Sequence, residues 1–342
     1  MTQSAYEIES PSTLATLLEG EARGGHKGLP ADVRVPERLW QRALFNPLRE
    51  ACARPGKEFR GRLTAVAWDL AGGAGAAPPE LAAIVEALHL GSLIVDDIED
   101  GSTLRRGAPA LHRVVGVPLA LNTGNWLYFW PSELLSRAKL SPALELSLRS
   151  AIDRAVLCCH YGQALDLSVR VTDLRQREVP DIVFGTTRLK TGSLMELAAE
   201  LGALAAETEP ARVRALATLG REIGIALQML DDLTGLTLER RCHKGHEDLL
   251  EARPSWAWAW LAERADDVSY LRVRSLEEAV LRRDLHPEVV AEQLREQVGD
   301  HGRKAIRERL GSALASCRET FGASVGLAEL ESELTRLERY DG

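Results

Sequence analysis

Asp96, Asp97 and Asp100 stand in a DDxxD pattern within the stretch Glu86–His112, EALHLGSLIVDDIEDGSTLRRGAPALH. On a helix Asp96 and Asp100 lie one turn apart on one face, with Asp97 about 100° round from them. Carboxylates this close repel one another and need cations. Hard oxygen donors at this spacing suit Mg²⁺, which takes one or two carboxylates and fills its shell with substrate phosphates. Arg105 and Arg106 follow at once, and paired guanidinium groups suit phosphate oxygens. The pattern points to a diphosphate held between Mg²⁺ and arginine. The bland alternative is a solvated helix end beside a surface arginine pair. Leu90, Leu93, Ile94, Val95 and Ile98 weaken it, because a helix this apolar is buried and buried carboxylates need partners.

The elements that position these groups read as helices. The chain has 342 residues, 45% of them hydrophobic and 27% charged, with few aromatics. Leu, Ala, Glu and Arg dominate, and alternating β-branched runs are scarce, which favours an all-α protein. The formal charge of -8 argues against a nucleic-acid binder, whose affinity rests on neutralising phosphates. No apolar run is long enough for a membrane span. The start, MTQSAYEIESPSTL, lacks the pattern of a secretory signal. The five cysteines are odd in number and lack zinc spacing, which fits a reduced, cytoplasmic protein.

Residues 1–35 are polar and punctuated by Gly and Pro, so a loosely held arm is expected there, followed by one helical domain over 36–342. Lys57 and Arg60 lie at i, i+3 at the head of a helix, where free N–H groups also favour anions. A surface basic pair is the commoner meaning of such a spacing. His89 falls on the Asp96/Asp100 side of its helix, and a lone histidine there is more often a core residue. Trp126, Tyr128, Phe129 and Trp130 cluster on the next helix, which Pro131 should kink or start. Such a cluster is more often core than a ligand cage. Gln163 and Asp166 are polar on an apolar run. Lys190-Thr191-Gly192 breaks helix propensity in mid-helix, a local violation of the kind that marks sites. A second carboxylate pair, Asp231-Asp232, ends an apolar helix, with Gln228 one turn before Asp232. The remainder, 261–342, reads as amphipathic helical scaffold, and no strand pair is evident.

These motifs occur together, in order, in the trans-isoprenyl diphosphate synthases, the polyprenyl synthetase family, which the chain resembles from about Leu39 to Trp260. The resemblance rests on GKxxR (Gly56, Lys57, Arg60), His89, DDxxD, RRGxPxxH (Arg105, Arg106, Gly107, Pro109, His112), GQxxDL (Gly162, Gln163, Asp166), Lys190-Thr191-Gly192 and QxxDD (Gln228, Asp231, Asp232). It implies an all-α bundle around a deep central cavity, with the aspartate helices facing across its mouth, and a homodimer. It implies that Asp96, Asp100 and Asp231 hold a cluster of three Mg²⁺ ions on an allylic diphosphate. Arg105, Lys190, Thr191, Gln228 and Lys244 would contact that substrate; Lys57, Arg60, His89 and Arg106 would hold isopentenyl diphosphate. Asp96, Asp97, Asp100, Lys190 and Asp231 form the implied catalytic set. The implied reaction ionises the allylic diphosphate, joins the allylic carbon to the isopentenyl double bond and releases a proton.

The chain departs from the family in three places. Gly235 replaces the last aspartate of the second motif, Asn125 replaces an aspartate after Gly124, and Arg253 stands where lysine is usual. Three readings stay open: a chain-elongating prenyl transferase, a terpene cyclase on the same fold, and a non-catalytic partner subunit. A cyclase needs no second diphosphate site, yet Lys57, Arg60, His89 and Arg106 are all present, which puts the transferase first. The intact DDxxD puts the inactive subunit last. Gly91 and Ser92 are small and leave the pocket open before Asp96, while Trp126, Phe129 and Trp130 are the residues to close it. A C15–C20 product is expected.

Overall fold

The structure, a computed structural model, describes residues 12–23, 29–30, 32–54, 56, 58–238 and 242–340, without the side chains of 242–244 and 337–340. These residues are helical apart from turns, loops and one two-residue hairpin. They group into two units, 1–65 with 76–149, and 66–75 with 150–342.

The first unit begins with α1 (Thr13–Arg23), inside the stretch expected to be a loose arm. Leu14, Leu18 and Ala22 recur every four residues and are buried, which gives this polar segment an anchoring face. Its Glu21 is buried too and takes an ion pair from Arg137 at 2.6 Å. Next come α2 (Glu37–Trp40), a π-helical turn (Gln41–Phe45), α3 (Asn46–Cys52) and the start of α4 (Phe59–Leu70).

The long helix α5 (Pro79–Glu99) has Pro at its first position, where the missing N–H costs nothing. It ends just past the aspartates: Ser102 N–H donates to Asp97 C=O and Gly101 N–H to Ile98 C=O, the paired bonds of a glycine-capped helix end. The next residues fold back as a hairpin, β1 (Leu104–Arg105) against β2 (Ala108–Pro109), that the sequence does not announce. Its two central residues both have positive φ, Arg106 at 53° and Gly107 at 79°, as a tight hairpin turn requires. After α6 (Leu111–Val115), α7 (Val117–Arg137) runs on through Pro131 as a single helix. It packs on α5 where two glycines meet: a Cβ on Gly91 would lie 2.9 Å from the Gly124 carbonyl oxygen. Helix α8 (Pro142–Ser168) starts in this unit and ends in the other.

In the second unit α9 (Val179–Thr187) leads through a π-helical turn, Arg188–Gly192, into α10 (Ser193–Ala205). That turn is the Lys-Thr-Gly segment whose propensity was wrong for a helix interior; π-bulges are often found at functional sites. The core packs α10 against α11 (Pro210–Thr237), and α11 against α15 (Glu288–Phe321). Between them lie α12 (Cys242–Leu250), α13 (Trp256–Arg264) and α14 (Asp267–Leu281), and α16 (Val325–Tyr340) ends the chain. The Trp/Ala run 256–260 is a helix buried on every side. Trp260 lies on Gly302, where a Cβ would come within 2.6 Å of the indole ring.

Candidate active site

The first unit carries an acidic and a basic group, both on or beside α5. Asp97 is 2% exposed, and its Oδ1 accepts from Arg105 Nε at 2.8 Å and from a terminal guanidinium nitrogen at 2.5 Å. The same terminal nitrogen lies 3.5 Å from Asp96 Oδ2. The hairpin makes this possible, because it turns the chain back and returns Arg105 to the last turn of α5. Burial works against the charge of Arg105, but its hydrogen bonds to Asp97 and the charges of Asp97, Asp96 and Asp100 more than offset it. All three aspartates stand at the C-terminal end of α5, where the helix dipole adds to their need for cations.

The basic group gathers around His89 and Arg106. Burial holds the His89 imidazole well below its usual range, and the charges of Arg60, Arg106 and Arg105 push the same way, so His89 is neutral at physiological pH. Gly56 leaves room for Arg106; a Cβ there would lie 2.7 Å from one guanidinium nitrogen. Glu86 was not singled out in the sequence. Its Oε1 accepts from Gly61 N–H at 2.9 Å, and the charges of Arg60 and Arg106 oppose the upward push of burial on its carboxyl. An acid on an apolar helix, one turn before His89, was the available signal. Lys57 lies outside the described residues.

The second unit carries the other motifs as a connected set. Lys190 Nζ donates to Asp166 Oδ2 at 2.6 Å, and Arg253 reaches the same oxygen at 3.5 Å. Thr191 Oγ1 donates to Gln228 Oε1 at 3.0 Å, and Gln228 Nε2 donates to Asp232 Oδ1 at 2.8 Å. The other oxygen of Asp232 accepts the Trp256 backbone N–H at 2.9 Å, capping the start of α13 from outside that helix. Lys244 lies on α12, with its side chain outside the described residues.

In each aspartate pair the second member is thus fixed by the protein: Asp97 by Arg105, Asp232 by Gln228 and the end of α13. Among the described residues no three His, Cys, Asp or Glu side chains are arranged to hold a metal by themselves.

Gly235, where a family aspartate is missing, is not a gap. Gly245 of α12 packs on it, and a Cβ on Gly245 would lie 2.3 Å from the Gly235 carbonyl oxygen. The seam is tied nearby: His246 Nε2 lies 2.7 Å from Glu288 Oε2, and Arg295 bridges Glu288 and the Leu236 carbonyl. Gly245→Ala is expected to unseat α12 and cost about 1–3 kcal/mol, read as a lower midpoint in urea.

The residues expected to set the pocket make contacts of their own. Gly91 faces Gly124, and its small size serves that contact. Ser92 Oγ donates to the His89 carbonyl at 2.8 Å. Trp130 is 3% exposed, stacks on Trp126 at 5.3 Å and lies against Glu21 of α1, while Phe129 is 77% exposed. A small residue on a buried helix can serve a helix contact as well as a cavity, and its partner Gly124 is distant in sequence.

The model of the polyprenyl synthetase family matches residues 41–296. The chain belongs to this family. Among its relatives are the geranylgeranyl diphosphate synthase of Sulfolobus acidocaldarius, 31% identical over 54% of this chain and 56% of the relative, and the geranylgeranyl pyrophosphate synthase of Eremothecium gossypii, 33% identical over 62% and 67%. The first of these alignments spans little more than half of the relative's length. Among solved structures, a decaprenyl diphosphate synthase from Rhodobacter capsulatus has a TM-score of 0.79 at 19% identity, covering 96% of this chain and 95% of that one. A geranylgeranyl pyrophosphate synthetase from Pyrococcus horikoshii has a TM-score of 0.75 at 23% identity, covering 89% and 91%. The all-α fold is the one these family members share.

Proposed function

We propose that the chain is a Mg²⁺-dependent trans-prenyl transferase that joins an allylic diphosphate head-to-tail to isopentenyl diphosphate, giving a C15–C20 prenyl diphosphate. The observation that carries this is the pair of groups on and beside α5. Asp96 and Asp100 lie at one end, and two turns away is His89, on which the charges of Arg60 and Arg106 act. An acidic group suits a diphosphate carried with metal; a basic group suits a second diphosphate without one. A cyclase needs only the first. Relatives named geranylgeranyl diphosphate synthase support the same reading.

Asp96, Asp100 and, from the second unit, Asp231 are the proposed Mg²⁺ ligands, for three ions with substrate bound. When bound, Mg²⁺ would neutralise negative charge developing on the departing diphosphate. Asp97 keeps the Arg105 fork beside the aspartates, and Asp166 keeps Lys190 and Arg253 together, so each cation is aimed before substrate arrives. Lys190, Thr191 and Gln228 join Arg105 as contacts of the allylic diphosphate, with Lys244. Lys57, Arg60, His89 and Arg106 hold isopentenyl diphosphate, His89 as a neutral hydrogen-bonding group. The allylic carbon–oxygen bond breaks, the isopentenyl double bond attacks that carbon, and one proton and one diphosphate leave. Incubating the protein with Mg²⁺, labelled isopentenyl diphosphate and dimethylallyl, geranyl or farnesyl diphosphate tests this. Labelled linear prenyl diphosphates are expected; a label-free cyclic hydrocarbon would refute the proposal.

We also propose a homodimer. Val117, Leu121 and Phe129 share one face of α7 with Asn125, and all three are exposed, an apolar stripe that a second copy would cover. Phe129→Glu is expected to give monomers in light scattering. A cytoplasmic location is proposed on the cysteines, which are odd in number and lack zinc spacing; among the described residues Cys52, Cys158, Cys159 and Cys317 are free thiols. No helix among the described residues is long and apolar enough to cross a membrane.

A further inference from the structure

We propose that Arg54 is a diphosphate ligand in the site read above as that of isopentenyl diphosphate, acting with Arg60 and Arg106. The inference rests on that reading and extends it to a residue outside the GKxxR and RRG motifs.

Arg54 follows the end of α3, two residues before Gly56. Its side chain is only 8% exposed, yet its Nε and one terminal nitrogen are buried without a hydrogen-bond acceptor. Glu50 lies 3.7 Å from that terminal nitrogen, an ion pair but too long for a hydrogen bond. A buried guanidinium with unmet donors is rare, because each such donor has given up water for nothing.

The neighbourhood sharpens this. Arg54 lies close enough to Arg106 for its charge, like that of Arg105, to act against protonation of Arg106, adding to the larger effect of burial. Glu86 offsets part of this excess, but it also faces Arg60 and accepts from Gly61 N–H. Arg60 and Arg106 thus share the partly desolvated carboxylate of Glu86, while Arg54 has only the distant carboxylate of Glu50. Gly56, between Arg54 and the next helix, lets the Arg106 fork approach the backbone. The group that would relieve both the like-charge repulsion and the unmet donors of Arg54 is an anion with several oxygens. A diphosphate has them, and the planar arginine fork matches them two at a time. A role confined to holding Glu50 would leave the buried Nε unexplained.

Arg54→Met and Arg54→Lys test the assignment, with each variant's melting curve as a folding control. In steady-state assays with Mg²⁺, Arg54→Met is expected to raise KM for isopentenyl diphosphate about 10- to 100-fold while KM for the allylic diphosphate stays within about two-fold. Arg54→Lys, with charge but no fork, should fall between. An independent measurement uses inorganic pyrophosphate and calorimetry in EDTA, where the metal-dependent site is silent; Arg54→Met should weaken its binding by a similar factor. Equal shifts in both KM values, or unchanged KM and pyrophosphate affinity in a folded variant, would overturn the proposal. If the wild type incorporates no isopentenyl diphosphate while Arg54→Met still loses pyrophosphate affinity, the transferase reading fails and Arg54 stands as a diphosphate ligand.

Discussion

Asp96→Ala is expected to lower prenyl transfer on the order of 10³- to 10⁵-fold while leaving the fold intact. Asp96 lies at the last turn of α5, partly exposed, and contributes nothing to the apolar core. Removing it takes away a proposed metal ligand and the more distant carboxylate partner of Arg105. Arg105 keeps its closer bonds to Asp97, so the guanidinium stays in position and the loss isolates the metal. Asp97→Ala should behave differently. It leaves Arg105 half-buried without its main partner, so both stability and turnover should fall. Kinetics in a Mg²⁺ titration, alongside melting curves, separate the two. Near-normal activity of Asp96→Ala would sink the metal assignment.

The second large effect concerns stability. Glu277 on α14 is 0% exposed, and neither carboxylate oxygen has a hydrogen-bond partner. Burial alone pushes its carboxyl from the ordinary 4.5 up to about 8. Below pH 4.5 both folded and unfolded chains hold the proton, and Glu277 costs nothing by ionisation. Between pH 4.5 and about 8 the unfolded chain releases a proton that the folded chain keeps, so stability falls as pH rises, and it levels off above about 8. The total is on the order of 4 kcal/mol. Glu277→Gln removes this dependence without changing the side chain's shape. Its urea midpoint should nearly match the wild type at pH 5 and exceed it clearly at pH 8.5. A gap that is the same at both pH values would show that ionisation of Glu277 is not its cause.

Much of the candidate site is legible in the chain because helices keep their chemistry local. Asp96, Asp97 and Asp100 span one turn, and so do Gln228 and Asp232; the spacing alone puts them together. Lys190-Thr191-Gly192 announced itself by breaking helix propensity, and the structure has a π-helical turn there. What the sequence hides depends on partners far along the chain. The hold of Asp97 on Arg105 needs a hairpin, and its strands are only two residues each. Gly91 reads as a gap in a pocket wall until Gly124 is seen against it. Gly235 reads as a lost carboxylate until Gly245 is found packed upon it. The buried Trp run of α13 shows no helical period because a helix hidden on all sides has no polar face to reveal it. The helix α1 hides in a polar stretch for the opposite reason: three apolar residues one turn apart suffice to seat it.

The claim that two diphosphates meet in this chain is tested most directly by counting both in the same reaction. The protein is mixed with Mg²⁺, farnesyl diphosphate and labelled isopentenyl diphosphate, and released diphosphate and label in extracted prenyl chains are followed together. Head-to-tail transfer predicts one label incorporated for every diphosphate released, at every time point. Diphosphate released without label in the chain would contradict it and point to a cyclase.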